Sequence, residues 1–176
     1  AGVPLQLLYL AAAFRDTPVE VQILDLNIVD DPSKTLDERL QTYKPTHVGV
    51  TSYSPNYPES LDVMKAVKRV SPSTITISGG PHEIAVGDLS PKPEFIDHRV
   101  IDTFGENRLL GLVGLEKRIA DRQTLFPAYE LLQDHPSYKF DSELFNGRRM
   151  TQILTATGCN QKCDFCSAQQ IYEAFA

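Results

Sequence analysis

Four β-rich runs recur along this sequence, "VEVQILD" at 19–25, "HVGVTS" at 47–52, "TITISGG" at 74–80 and "HRVIDTFGE" at 98–106, with helix-like segments between them. That alternation is the strongest constraint on the fold. A short strand, a helix and another short strand make a βαβ unit, which sets the strands parallel and lays the helices on the sheet faces. The expected architecture is therefore α/β, a doubly wound parallel sheet. "PESLDVMKAVKRV" supplies one helix, with Pro58 at its first position, Glu59 in its first turn and Val63, Val67 and Val70 at i, i+4 and i+7. Leu36 and Leu40 mark the apolar side of a shorter helix at 35–43, and "PLQLLYLAAAF" reads as a helix with Pro4 at N1. A doubly wound sheet normally begins with a central strand before its first helix, so the chain as given is expected to lack that strand.

Composition fills in the class. With 176 residues and 41% hydrophobic content, the chain can bury a core of its own, one domain plus a piece of another. We divide it into a first domain over 1–120, a linker over 121–150 with two prolines, several aromatics and no clear period, and a second domain over 151–176 that opens with the predicted strand "TQILTAT" at 151–157. No apolar run approaches the roughly 20 residues of a membrane span, and the N-terminal stretch lacks the pattern of a signal peptide. A cytoplasmic protein with no membrane partner is expected. The net charge of −6 argues against a nucleic-acid surface, and Lys65, Lys68 and Arg69 read as the solvated face of one helix.

All three cysteines, Cys159, Cys163 and Cys166, fall within "GCNQKCDFCSA" at C-x3-C-x2-C spacing. A bridge between any two would close only a tiny loop, so a reducing compartment and a metal or cluster fit better than a disulfide. A [4Fe-4S] cluster takes one thiolate per iron, so three cysteines leave one iron open to another ligand. A zinc site completed by His135 is the alternative.

The motif, with Phe165 just before its last cysteine, resembles the cluster-binding loop of the radical S-adenosylmethionine (radical SAM) superfamily. The resemblance implies that Cys159, Cys163 and Cys166 ligate a [4Fe-4S] cluster after the first strand of a partial TIM-like barrel. It also implies that S-adenosylmethionine chelates the open iron, and that Phe165 either approaches its adenine or packs in the core.

In an open parallel sheet, ligands gather at the carboxyl ends of the strands, which here read "TSYS" (51–54), "SGGPH" (78–82) and "TFGE" (103–106). Gly79 and Gly80 permit a tight turn or a close backbone approach. The stretch "VGVTSYSPNYPESLDVMKAVKRVSPSTITISGGPH" resembles the Rossmann-like cobalamin-binding domain that precedes the barrel in B12-binding radical SAM enzymes. On that resemblance Thr51, Ser52 and Tyr53 stand at the S-x-L motif, Gly79 and Gly80 at the GG motif, and Gly105 and Glu106 at the start of G-E-G-E, where Asn107 and Arg108 depart from it. The D-x-H-x-x-G motif is absent, so no protein histidine is expected on cobalt. His47 and His98 begin strands, and His82 reads as a turn histidine. Asp25 has no G-x-G-x-x-G before it and reads as a strand-end acid rather than a ribose ligand.

The implied activity is that of a cobalamin-dependent radical SAM methyltransferase. It would act on an unactivated centre of a small metabolite and draw on an external electron donor of the flavodoxin or ferredoxin type. Two alternatives stay open. One is a radical SAM enzyme of another reaction type, such as a methylthiotransferase, although the extra N-terminal cysteines of that branch are missing. The other is a non-catalytic cobalamin- or metal-binding module.

Overall fold

Strands β1 (His47–Thr51), β2 (Ile75–Gly79) and β3 (His98–Arg99) form a parallel sheet in the order β1-β2-β3, as the alternation predicts. The computed structural model describes residues 3–121, 124–132, 138, 152–155, 161 and 163–166. Thr51 lies opposite Gly79, and Ser78 opposite Arg99, so the carboxyl ends of the strands finish level. The helices are α1 (Leu5–Ala12), α2 (Pro32–Tyr43), α3 (Tyr57–Val70), α4 (Pro81–Val86) and α5 (Glu106–Leu112).

Local chemistry sets the helix ends. The Asp31 carboxylate accepts from the Lys34 N–H at 3.0 Å and caps α2, with Pro32 in the first turn where its missing N–H costs nothing. Pro4 occupies the N-cap of α1 rather than the N1 position the sequence predicts, so the helix starts one residue later. The predicted helices at 35–43 and 58–70 are present as α2 and α3, α2 reaching back to its aspartate cap.

Two apolar clusters hold these elements. Leu36, Leu40 and Val67 are buried between α2 and α3, with Leu24, Leu26, Val48, Val63 and Val70 packed around them. Ala11 and Ala12 of α1 meet Ala128, with Val21 and Ile23 against them. Residues 19–25 thus serve both clusters. They run without a ladder partner among the described residues, where the sequence predicts a strand. Alternating hydrophobicity specifies which side chains are buried, and Val21 and Ile23 do pack inward; it does not specify a hydrogen-bonding neighbour.

β3 is shorter than its predicted run. Val100 N still donates to Ser78 O at 2.8 Å, and the chain then leaves the sheet for the loop before α5. Part of the stretch read as linker lies on α1: Ala128 N donates to Leu8 O at 3.0 Å, and Arg15 donates to Glu130 and to the Phe126 and Pro127 carbonyls. Residues 152–155, within the strand predicted at 151–157, form no ladder among the described residues. No described helix is long and apolar enough to cross a membrane.

Candidate functional site

The carboxyl ends of the three strands bring most of the sequence-selected residues to one rim. Ser52 N donates to Gly79 O at 3.0 Å and His82 N to Ser52 O at 3.0 Å, which lashes the loop after β1 to the turn after β2. Gly80 takes φ 98° and ψ −177°, a conformation reserved for glycine. A Cβ there would lie 2.5 Å from Thr51 Oγ1 and 2.8 Å from Ser52 N. The close approach that Gly80 permits is therefore to the protein's own chain. At Gly79 a Cβ would meet Val100 at an ordinary 3.5 Å.

The Thr51-Ser52-Tyr53 triplet divides by exposure. Ser52 is wholly buried, Thr51 is half-buried, and Tyr53 is 48% exposed. Gly105 caps α5 in an ordinary right-handed conformation, φ −69°, and Glu106 is buried in the first turn.

His82 sits on the rim but is already engaged. Its ring stacks on Tyr57, with centroids 3.7 Å apart and planes inclined by 25°, and Nδ1 lies 3.0 Å from Ser54 Oγ. His47 and His98 open β1 and β3 at the opposite end of the sheet. Asp25 is a turn acid, accepting from Asn27 N at 3.0 Å and from the Tyr138 hydroxyl at 3.1 Å.

Beneath the rim lies a buried ionic network that the sequence does not announce. Ser78 Oγ donates to Glu83 Oε1 at 2.5 Å, and Arg99 Nε lies 2.6 Å from Glu83 Oε2, with both charged side chains buried. Arg99 Nη1 also donates to the carbonyls of Gly87 and Ser90 at 3.1 and 3.0 Å. One guanidinium thus joins β3 to α4 and to the loop behind it. The Nε–Oε2 approach is poorly aligned for a hydrogen bond, and Arg99 Nη2 meets no well-aligned acceptor among the described residues. Burial, then the Glu83 carboxylate, raise the pKa of the Tyr57 phenol, so it stays neutral above this pair. A charged residue inside a β-rich run, as in "HRV", was the available signal; its partner was not legible.

Cys163 and Cys166 lie on one exposed turn, closed by Cys166 N donating to Cys163 O at 3.0 Å, and neither is in a disulfide. Phe165, between them, is 92% exposed and so is not a core residue. Cys159 and His135 lie outside the described residues. Among the described residues no group of three or more His, Cys, Asp or Glu is arranged to hold a metal.

Residues 1–106 match the B12 binding domain. The chain belongs to that family. It is also similar to a Pyrococcus horikoshii protein named an uncharacterized methyltransferase, with 24% identity over 188 residues, covering 95% of this chain and 41% of the relative. The chain thus spans less than half of that relative's length. No solved structure matches.

Proposed function

We propose that the chain contributes the corrinoid-binding domain and a [4Fe-4S] cysteine loop of a cobalamin-dependent radical SAM methyltransferase. The observation that carries this reading is the level rim of strand ends in a B12-binding domain, with Thr51–Tyr53 and Gly79–Gly80 lashed side by side. Cobalamin suits the rim. Gly80 lets the two loops close up without an intervening side chain, and the exposed Tyr53 and Ile101 offer apolar contact to a corrin. Thr51 and Tyr53 would touch the corrinoid through side chains, Ser52, Gly79 and Gly80 through backbone, and Gly105 and Glu106 would shape the neighbouring wall. His82, held by Tyr57 and Ser54, would stay off the cobalt.

Two exposed thiols on one turn are a donor set suited to iron, and Cys159, Cys163 and Cys166 would hold the cluster with Phe165 beside the adenine of S-adenosylmethionine. When bound, the cluster with S-adenosylmethionine would supply a hydrogen-abstracting radical and cobalamin a methyl group. The match to a methyltransferase-named relative extends over 95% of the chain, well past residue 106, and supports methyl transfer as the reaction. The substrate would be a small metabolite, the electron donor a flavodoxin or ferredoxin type, and the compartment the cytoplasm.

The test is anaerobic incubation of the complete protein with reductant, S-adenosylmethionine, methylcobalamin and a panel of small-metabolite methyl acceptors. The expected products are 5'-deoxyadenosine and S-adenosylhomocysteine, and His82→Ala should leave the visible spectrum of bound corrinoid unchanged. Deoxyadenosine without methyl transfer would replace methylation by another radical reaction. No deoxyadenosine at all would remove the radical SAM assignment.

A further inference from the structure

Where the family pattern G-E-G-E becomes "GENR", the departure builds something. Asn107 Oδ1 accepts from Ile119 N at 2.8 Å, and its Nδ2 donates to Ile119 O at 3.0 Å. The chain reverses after α5 at Gly114, φ 79°, with Leu115 N donating to Leu110 O at 2.9 Å, and Asn107 then fastens the returning strand of chain against the helix. That clamp carries Arg118 across Gly111, where a Cβ would stand 4.0 Å from Arg118 Nη1.

Between the loop after β3, α5 and this returning segment lies an open surface cavity of about 520 Å³, lined by Asp102, Phe104, Asn107, Arg108, Leu112 and Arg118. Arg108 and Arg118 both face it. Neither forms an ion pair among the described residues, although Asp102 lines the same space, and the bond from Arg118 Nη1 to Asn107 O is long at 3.4 Å. Guanidinium groups do not lose their protons, so Arg108 and Arg118, both exposed, set two positive charges against the single carboxylate of Asp102 in this lining. A carboxylate or phosphate accepts paired hydrogen bonds from such groups and neutralises the repulsion. Beside these polar groups, Leu112 and the 47% exposed Phe104 give the wall an apolar patch. The volume suits a small molecule, and the acidic chain disfavours a nucleic-acid polymer.

We propose that this cavity binds a small molecule with a carboxylate or phosphate head on Arg108 and Arg118 and a flat apolar body against Phe104. The proposal does not depend on corrinoid binding, since it uses none of the residues assigned above to the corrinoid.

Phenyl phosphate and inorganic phosphate serve as probes, titrated into the isotopically labelled chain and followed through the arginine side-chain and α5 amide resonances. Phenyl phosphate should give saturable shifts at Arg108, Gly111 and Arg118, and Arg108→Gln and Arg118→Gln should each weaken it by about tenfold, the loss of one charge-assisted contact. Phe104→Ala should bring phenyl phosphate down to the affinity of inorganic phosphate. Arg108 is exposed on α5, so Arg108→Gln leaves the packing intact and decides the matter even if another variant fails to fold. Absence of saturable shifts, or shifts undiminished in Arg108→Gln, overturns the proposal.

Discussion

Gly80 carries the most constrained backbone on the rim. Any side chain there meets two penalties, a φ of 98° and a collision with Thr51 and Ser52 at under 3 Å. Gly80→Ala should therefore destabilise the unliganded domain by about 2–4 kcal/mol, the sum of backbone strain and a forced shift of the neighbouring loop. Gly49 makes the comparison: nothing lies within 4 Å of its would-be Cβ, and Gly49→Ala should stay within about 0.5 kcal/mol of the parent. Urea unfolding of both variants without corrinoid reads the difference, and equal midpoints would show that Gly80 is free to relax. The glycine pair was legible in the sequence as a place needing positive φ or close approach. What approaches was not, because Thr51 and Ser52 come to Gly80 only through the parallel pairing of β1 and β2. For the same reason Glu83 and Arg99, sixteen residues apart in the sequence, could not be paired before the strand and helix ends were placed.

The elements are tied at both ends of the sheet. At the rim, Arg99 joins β3 to α4. At the opposite end, Asp97, just before β3, accepts from Lys68 Nζ of α3 at 2.6 Å and from Thr76 N and Oγ1 of β2 at 2.7 and 3.1 Å. Burial would raise the Asp97 pKa, but the Lys68 hydrogen bond and the Thr76 donors outweigh it and hold the carboxyl at about 2. A depressed folded-state pKa contributes stability above the unfolded value, near 3.8, and that contribution is lost as pH falls from about 4 through about 2. Because Asp97 is 35% exposed, solvent screening reduces its worth to roughly 1 kcal/mol. Asp97→Asn should remove about that much at neutral pH and flatten the fall in stability between pH 4 and 2, measured by urea midpoints across that range. An unchanged acid limb would mean that other carboxylates govern it. At this scale the sequence was read well where periodicity was strong, in α2, α3, β1 and β2. It was read less well where pairing or length decides, as in residues 19–25, the two-residue β3 and the short α4 that starts directly after Gly80.

On the scale of the whole molecule, a B12-binding domain over residues 1–106 is followed by a cysteine loop outside that match. The two parts were legible to different degrees for a physical reason. An α/β sheet spreads its signal over many residues and needs tertiary pairing to bring its site together, whereas C-x3-C-x2-C concentrates its three cysteines in eight residues. The structure adds that Cys163 and Cys166 share one exposed turn. A turn with two exposed cysteines would gain order if a metal centre tied the thiolates together, since the binding free energy of such a site is also folding free energy. Anaerobic reconstitution of the complete protein with iron and sulfide should therefore give about four irons per chain, the stoichiometry of one [4Fe-4S] cluster. Cys163→Ala should abolish that iron, because two remaining thiolates cannot hold the cluster against exchange, while corrinoid binding by the first domain should be untouched. Stoichiometric zinc in anaerobically purified protein, or full iron retention in Cys163→Ala, would assign the three cysteines to a different site, and a simultaneous loss of corrinoid would show that the loop and the rim do not act as separate units.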